Sequence, residues 1–269
     1  MTIEYSGKGD PARSLALLWR TRERTSRKGK PDLSVDRIVR AAIEVADADG
    51  LQALSMRRVA ERLGVGTMSL YTYVPGKPEL LDVMLDTVYG TVYGPVHGTV
   101  DGEQDEPEEV SGDWRERLRH IARANWALYR RHPWLLQVAT SRPVLGPNVT
   151  AKYDAELRAI DGIGLTDVEM DQVITLVTGF VHGTARGAVE ASQAESQTGM
   201  SDEQWWAAHA PFLGRIGDTA RYPTASRVGQ AAGEALGGAY SAERTFEFGL
   251  ERLLDGIEAL IHRRTGHSG

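Results

Sequence analysis

Cysteine is absent from the 269 residues of the chain, and no apolar stretch is long enough to span a bilayer. The first absence excludes disulfides and thiolate metal sites, which agrees with a reducing cytosol. No signal peptide is recognisable at the start of the sequence. We therefore expect a cytoplasmic protein with no membrane partner.

Strand-like alternation of apolar and polar residues is missing too, as is any internal repeat. Apolar residues recur instead at the 3.6-residue period, which predicts an all-α fold. No Gly-rich loop follows a strand, no His-Glu-x-x-His motif occurs, and His120, His132 and His182 have no catalytic partner close by in the sequence. These absences argue against an enzyme, which stays open as an alternative together with a helical bundle that only binds proteins.

Acidic residues outnumber basic ones and give a net charge of −6, but the two signs are unevenly distributed. Residues 1–93 hold fourteen Lys or Arg against twelve Asp or Glu, whereas the remainder holds seventeen against twenty-five. Phosphate would repel the remainder, so any contact with nucleic acid must use a local basic face. Residues 20–30 carry six basic residues and one acid. We interpret residues 1–33 as a flexible basic arm, either a solvated tail or a segment that follows phosphates or the minor groove.

A second charged segment covers residues 94–112, with two Pro, four Gly and six acids. This composition predicts a mobile acidic loop between two folded regions. Its acids lack the ligand order of a calcium-binding loop, so we interpret them as solvating charges and expect no metal.

Residues 55–77 contain the pattern on which the functional interpretation of the chain depends. Ser55 is suited to cap a short helix with an apolar stripe, and Gly64 to leave that helix with a positive φ. Thr67 then begins a second short helix, with Leu70 facing inward and polar side chains facing outward. Two helices joined by a tight turn with glycine are the geometry that places the second helix in a DNA major groove. The stretch therefore predicts a DNA-reading helix-turn-helix.

Amphipathic helices flank this stretch on both sides. A strongly periodic helix over residues 34–49 precedes it, and a longer helix from about Lys77 to Tyr93 follows it. We therefore predict an N-terminal three-helix DNA-binding domain, with its connecting helix, over residues 34–93.

The rest of the chain, residues 113–269, is predicted to form a C-terminal helical domain for ligand binding and dimerisation. Pro211 is expected to kink or end the helix that contains it. The predicted helices cover residues 113–131, 134–139, 147–161, 166–194, 201–214, 223–238 and 241–264.

Two of these helices predict a partner chain. The helix over residues 166–194 carries Gly179, Gly183 and Gly187 at four-residue spacing, and a glycine inside a helix costs up to about 1 kcal/mol unless a close contact offsets it. The helix over residues 241–264 is apolar on more than one face. We therefore predict a homodimer through these two helices. A ligand pressed against the backbone is the alternative explanation of the glycines.

Residues 34–93 resemble the TetR family of bacterial transcriptional repressors. The matching pieces are the run IVRAAIEVADADGL, the pattern MRRVAERLGV, the core LYTYV, and the Lys77 with Leu80-Leu81 that opens the next helix. Beyond residue 112, LYRRHPWLLQ and FEFGLERLLDGIEAL resemble the ligand-binding half of the tetracycline-repressor branch. The resemblance implies an all-α, Ω-shaped homodimer, in which a small molecule in the C-terminal core moves two DNA-reading heads apart.

The resemblance also implies which side chains contact DNA. Arg57 is the best candidate for a bidentate contact with guanine, and Lys77 would hold a phosphate at a helix N-terminus. Tyr73 fits a core aromatic equally well. The predicted DNA-binding set is Ser55, Arg57, Thr67, Met68, Ser69, Tyr71, Thr72, Tyr73 and Lys77.

A ligand pocket is expected between the helices of residues 113–194, as in helix bundles generally. His182 and Arg186 lie one turn apart on an otherwise apolar helix, so they are the first choice for polar contacts. Taken alone, each candidate fits the core better than a ligand site. We predict a small hydrophobic or aromatic, polyketide-like effector and no cofactor. The predicted ligand-binding set is Trp126, Tyr129, Trp134, Phe180, His182, Arg186 and Trp205.

These inferences combine into one hypothesis about function. The protein is expected to be a ligand-responsive repressor that binds an inverted-repeat, double-stranded operator as a homodimer and leaves it when the effector binds. The half-sites would lie one or more helical turns apart, at about 34–36 Å per turn. The alternatives are an effector-dependent activator, and a helical-bundle enzyme or binding protein without a DNA function.

Overall fold

The computed structural model of the chain describes residues 4–21, 33–92, 112–139, 142–216, 220–238 and 240–265. Within these ranges the chain is almost entirely helical, which confirms the all-α prediction. None of these helices is long and apolar enough to cross a membrane. The helices are Pro11–Leu18 (α1), Val35–Asp49 (α2), Met56–Leu63 (α3), Thr67–Tyr71 (α4), Lys77–Gly90 (α5), Trp114–Arg131 (α6), Pro147–Arg158 (α7), Asp167–Thr198 (α8), Asp202–Ile216 (α9), Pro223–Leu236 (α10) and Ala242–Thr265 (α11).

Helices α2 to α4 form a small unit, which we call the head. Ser34 begins α2 by accepting a hydrogen bond from the N–H of Arg37 at 3.2 Å, and Gly50 ends it with a φ of 81°. The predicted helix over residues 34–49 is therefore confirmed. Buried apolar side chains of all three helices and of the 3₁₀ turn Leu51–Ala53 make the core of the head. They are Ile38, Ala42, Leu51, Leu54, Val59, Leu70 and Val74.

Helices α6, α8 and α11 pack against one another and form the centre of the body. Asp113 and Thr166 begin α6 and α8 with capping boxes, in which the cap side chain and a Glu three residues later exchange hydrogen bonds with the backbone. Ion pairs then join α6 to α11. Arg119 donates to Glu251 at 2.7 Å and, together with Arg115, lowers the pKa of Glu251 to about 2. Close packing and paired charges thus fix the register of these helices.

Helix α5 is buried along most of its length and joins the head to the body, since it contacts α1, α2 and α7. Two of its carboxylates, Asp82 and Asp86, are only 2% and 4% exposed. Asp82 accepts a hydrogen bond from the N–H of Gly7 at 2.9 Å, and Asp86 accepts one from the N–H of Val149 at 2.9 Å. Buried charges need such donors. The two carboxylates therefore fasten the N-terminal segment and α7 to α5.

The start of the chain differs from the flexible arm expected for residues 1–33. Glu4–Tyr5 (β1) pairs in parallel with Val138–Ala139 (β2), and α1 packs on α5 with Leu18 buried. Strands of two residues are too short to show an alternating pattern, so they could not be recognised from the sequence. Residues 22–32 of the predicted arm and residues 94–111 of the predicted acidic loop lie outside the described residues.

Pro211 lies inside α9, which continues to Ile216. Of the two expected effects, a kink or an end, the structure excludes the end. Pro211 has no N–H, so the helix loses the hydrogen bond to the carbonyl of Ala207 and continues beyond it. The side chain of Arg215 donates to the carbonyl of Pro211 at 3.3 Å.

Asp82 leads to a testable pH dependence of stability. Burial raises the pKa of Asp82, and the nearby charge of Glu79 adds to this, whereas the N–H of Gly7 acts in the opposite direction. Because the pKa is higher in the folded chain, the contribution of Asp82 to stability is fully present below its unfolded pKa of about 3.9 and is lost as the pH rises through the folded pKa.

We expect Asp82→Asn, which keeps an oxygen for Gly7 and removes the buried charge, to be at least as stable as wild type at neutral pH. The free energy of unfolding should also depend less on pH between about pH 4 and pH 7. Urea unfolding across this range checks the prediction, with Asp154→Asn on the exposed side of α7 as the control. Equal destabilisation of Asp82→Asn at every pH would contradict it.

Candidate nucleic-acid interface and small-molecule cavity

The predicted helix-turn-helix presents one exposed face. Gly64 takes a left-handed conformation with a φ of 67°, so the chain can leave α3, and fully buried Leu70 attaches α4 to the core of the head. On the outer side, Met68 is 78% exposed and Tyr71 is 45% exposed. Among the predicted DNA contacts, the structure exposes Ser55, Arg57, Met68, Ser69, Tyr71 and Thr72 and leaves Thr67 half-buried.

Arg57 belongs to α3, and its side chain is 83% exposed. Its Nε donates to Glu61, one turn further along α3, at 2.8 Å, and this partner raises the pKa of Arg57. An exposed pair of this kind is weak and easily exchanged. By contrast, Arg58 and Arg62 pair with Asp49 and Glu44 of α2, so they brace the head. Arg57 is therefore the guanidinium group of α3 that can best turn toward a nucleic acid.

Ser55 and Tyr73 each have a structural role. The side chain of Ser55 caps α3 by accepting a hydrogen bond from the N–H of Arg58 at 3.2 Å, while its O–H can still donate to a phosphate. Tyr73 is half-buried, and together with Pro75 it lines a groove beside α1. The structure thus favours the interpretation of Tyr73 as a core aromatic, while Ser55 keeps a place at the exposed face.

Lys77 lies in the first turn of α5, whose N-terminal N–H groups have no side-chain cap. Its Nζ is 3.1 Å from Oε1 of Glu4, and the two side chains are 32% and 27% exposed. The predicted phosphate ligand therefore stands at an uncapped helix N-terminus, where an anion is favoured. It is already paired with a carboxylate from the N-terminal segment.

Asp47 of α2 connects the head to the 3₁₀ turn Pro133–Gln137 in the body. Its Oδ1 lies 2.8 Å from Nδ1 of His132 and accepts a hydrogen bond from Nε1 of Trp134 at 2.8 Å. Trp134 is only 1% exposed. This member of the predicted ligand-binding set does not line the cavity described below, and its ring fills the junction between head and body.

A cavity of about 420 Å³ lies in the body beside α5. It brings together Tyr129 and His182, the two members of the predicted ligand set that line it. Walls come from four helices, α5 to α8, from Ser6 of the N-terminal segment and from the chain that leads into α7. The other lining residues are Leu85, Tyr89, Arg142, Pro143, Val144, Val149, Lys152, Tyr153, Glu156, Ile174, Thr175, Thr178 and Gly179.

The aromatic wall of this cavity carries polar atoms that a ligand can meet. Burial raises the pKa of both Tyr89 and Tyr129, whose hydroxyls are hydrogen-bonded to each other, so both stay protonated at neutral pH. Burial and the positive charge of Arg186 lower the pKa of His182, which keeps the imidazole neutral. Its Nε2 is buried and has no hydrogen-bond partner among the described residues. A neutral imidazole can donate or accept, so the ring suits a hydroxyl or carbonyl group.

A charged pair lies beside these tyrosines, with Nζ of Lys152 5.6 Å from the centre of the Tyr89 ring. Glu156 is 2% exposed, accepts a hydrogen bond from Asn125 at 3.0 Å and pairs with Lys152. This buried pair is satisfied within the protein and shapes the wall. In the described part of the chain, no His, Asp or Glu side chains are grouped as a metal site would require.

Four other members of the predicted ligand set are not among the residues that line this cavity. Trp126 and Phe180 both pack against the ring of Phe246 and belong to the core between α6, α8 and α11. Arg186 pairs with Glu190 one turn along α8. Trp205 stacks on His209 of α9 and is 44% exposed. A single position in a sequence does not tell which of two neighbouring helix faces its side chain serves, and the packing shows where these four lie.

Several lining residues were missed from the sequence, although some left a signal. Tyr89 continues the apolar row of Leu81 and Leu85 at four-residue spacing along α5. Lys152 and Glu156 form a charged pair one turn apart, which normally indicates an exposed face. Only the fold shows that this face of α7 is turned inward.

Two family models match the chain, one over most of the head and one over most of the body. The model described as bacterial regulatory proteins, tetR family, matches residues 38–84, and that described as tetracyclin repressor-like, C-terminal domain, matches residues 106–261. The chain belongs to the TetR family. It is therefore a ligand-responsive transcriptional repressor and not an enzyme, as the sequence led us to expect.

Individual relatives agree with this assignment. The HTH-type transcriptional repressor DrrR1 of Streptomyces coeruleorubidus is 45% identical over 268 residues, which cover 99% of this chain and 93% of that protein. An HTH-type transcriptional regulator of Saccharopolyspora erythraea is 33% identical over 62% of this chain and 65% of that protein. Among solved structures, Streptomyces coelicolor ActR in complex with actinorhodin has a TM-score of 0.64 at 27% identity, covering 86% of this chain and 97% of that chain.

The junction at Asp47 yields a prediction for this TetR-family protein. Trp134→Phe removes the hydrogen bond to Asp47 and part of a fully buried ring, so the free energy of unfolding should fall by about 1–3 kcal/mol. Chemical denaturation measures this. In exposed Trp205, the same change to Phe should alter stability by less than about 0.5 kcal/mol. Similar effects of the two substitutions would argue against the junction.

Proposed function

We propose that this repressor binds an inverted-repeat operator as a homodimer and releases it when an aromatic small molecule enters the cavity of about 420 Å³. One observation carries the proposal: a single helix serves both sites. Leu85 and Tyr89 of α5 line the cavity, and Lys77 lies at the other end of the same helix, next to the head. A ligand that pushes on one end of α5 therefore moves the other.

The exposed face of the head supports the operator contact. Its hydroxyl groups and the Arg57 guanidinium can hydrogen-bond to phosphates and base edges. Helix α4 has only five residues, so it can follow a groove over only a few base pairs. One head alone therefore contacts few base pairs. A homodimer contacts twice as many when the operator is a repeat with the same two-fold symmetry. Since chromosomal DNA is the target, we place the protein in the cytoplasm.

The surfaces of α8 and α11 support the homodimer. Both helices carry small or apolar residues on exposed positions: Leu176 is 50% and Phe248 is 67% exposed. A Cβ placed on Gly183 or Gly256 would meet nothing within 4 Å in this chain. Interior helical glycines that face open space are disfavoured unless something else approaches closely. A second copy packed on these two helices satisfies that requirement.

The chemistry of the cavity supports an aromatic effector with oxygen substituents. Its volume falls within the range of about 300–1,000 Å³ that is usual for small-molecule sites. Rings of Tyr89 and Tyr129 offer flat apolar surface, and neutral His182 offers a hydrogen bond to a phenol or quinone oxygen. ActR, the structural relative, was solved in complex with actinorhodin and with (S)-DNPA.

We expect Arg57→Ala and Lys77→Ala each to weaken operator binding by about 1–3 kcal/mol without dissociating the dimer. Fluorescence anisotropy with DNA from upstream of the chain's own gene measures the affinity, and sedimentation measures the dimer. Arg158→Ala, which removes an exposed cation of the body, is the matched control. Unchanged affinity in both head variants, with the dimer intact, would overturn the docking proposed here.

The effector site is tested with actinorhodin as the probe. The wild-type complex with operator should dissociate as the probe is added. We expect His182→Phe to raise the probe concentration at half-release about tenfold, because one buried hydrogen bond of roughly 1.4 kcal/mol is lost. Trp205→Phe, outside the cavity, should behave like wild type. If wild type, His182→Phe and Trp205→Phe all release the operator at the same actinorhodin concentration, the effector binds outside this cavity.

A further inference from the structure

Residues 4–10 precede α1 and contact both the head side of α5 and the cavity wall. We call this segment the N-terminal strap. Its first two residues pair with β2, in the register Glu4 with Val138 and Tyr5 with Ala139. Further along, the N–H of Gly7 donates to Asp82 on α5. The strap is therefore held to the body at two separate places.

Two residues of the strap reach different sites. Glu4 pairs with Lys77 at 3.1 Å. Ser6 lines the cavity, and its hydroxyl donates to the carbonyl of Arg142, another lining residue, at 3.1 Å. Because an extended chain advances about 3.3 Å per residue, the two contacts are separated by only about 7 Å of backbone. A shift of the strap at one contact is thereby passed to the other.

We propose that Glu4 is a positioning residue for Lys77: it competes with operator phosphate for the ammonium group, and effector binding strengthens this competition through Ser6. An effector that rests against Ser6 and Arg142 holds the strap on the body and keeps the Glu4 carboxylate beside Lys77. Operator binding requires Lys77 to leave Glu4 for a phosphate. Effector and operator thus favour opposite states of one ion pair, and the inference rests on the function proposed above.

A comparison with the other ion pair at the DNA-facing side explains why Glu4 can act as a competitor. Arg57 and Glu61 lie on the same helix and approach DNA together, and their side chains are 83% and 51% exposed. Lys77 and Glu4 come from different segments and are 32% and 27% exposed, so solvent ions screen their attraction less. Glu4 is also fixed to the body through β2. The ion pair between Glu4 and Lys77 therefore depends on the position of the strap, whereas the ion pair between Glu61 and Arg57 does not.

The test is a double-mutant cycle on operator affinity with Glu4→Gln, Lys77→Gln and the double variant, each with and without actinorhodin. Glu4→Gln should raise operator affinity about threefold or more, because the freed ammonium group gains phosphate without losing a partner. Glu4→Gln should also raise the actinorhodin concentration at which half of the operator complex has dissociated. In the Lys77→Gln background, the same Glu4→Gln change should alter affinity by less than about twofold.

Glu44→Gln is the matched control, because it also removes one carboxylate and frees an arginine of the same head, Arg62. Glu44→Gln should change operator affinity less than Glu4→Gln does. This change should be the same in the wild-type and the Lys77→Gln backgrounds. The inference is overturned if Glu4→Gln matches this control, or if its effect persists in full without Lys77. A wild-type protein that fails to bind the operator, or to release it with the probe, instead overturns the function proposed above and this inference with it.

Discussion

Helix α5 brings two ionisable carboxylates, Asp82 and Asp86, into a nearly water-free interior. A buried charge without hydrogen-bond donors costs several kcal/mol, so each carboxylate must find donors in another part of the chain. Asp82 finds one at Gly7, and Asp86 finds one at Val149, where α7 begins. The N-terminal strap and α7 therefore meet at α5. The cavity is enclosed between them, and its position depends on these two hydrogen bonds.

The same helix explains how a cavity in the body can influence a head that it does not touch. Packed helices move as rigid units, and a small displacement at one end of a helix is carried to the other. Asp47, held by His132 and Trp134, adds a second connection between head and body. The head is therefore attached through α5 and through this junction. A ligand changes the orientation of the head only if it favours one arrangement of these contacts over another.

Local rules predicted the head almost completely. Ser55 was predicted as a helix cap, and it accepts the capping hydrogen bond. Gly64 was predicted to have a positive φ and has one. These features depend on neighbours within four residues, which the sequence displays directly. The exposed face of α4 follows from the same periodicity, and the family resemblance assigned the candidate DNA contacts to it.

The cavity could be predicted only in part, because its walls come from segments far apart in the chain. Tyr129 and His182 were predicted from the sequence and line the cavity. Trp134 and Phe180 are aromatic residues that were predicted in the same way, but they fill the junction with the head and the core of the body. An aromatic residue satisfies either environment, and only packing decides between them. The sequence by itself determined the helices, their caps and the reading face, since these need only local hydrogen bonds and periodicity. The tertiary structure alone decided the strap, the inward face of α7 and the partner of Lys77, since burial and long-range charge pairing have no local signature.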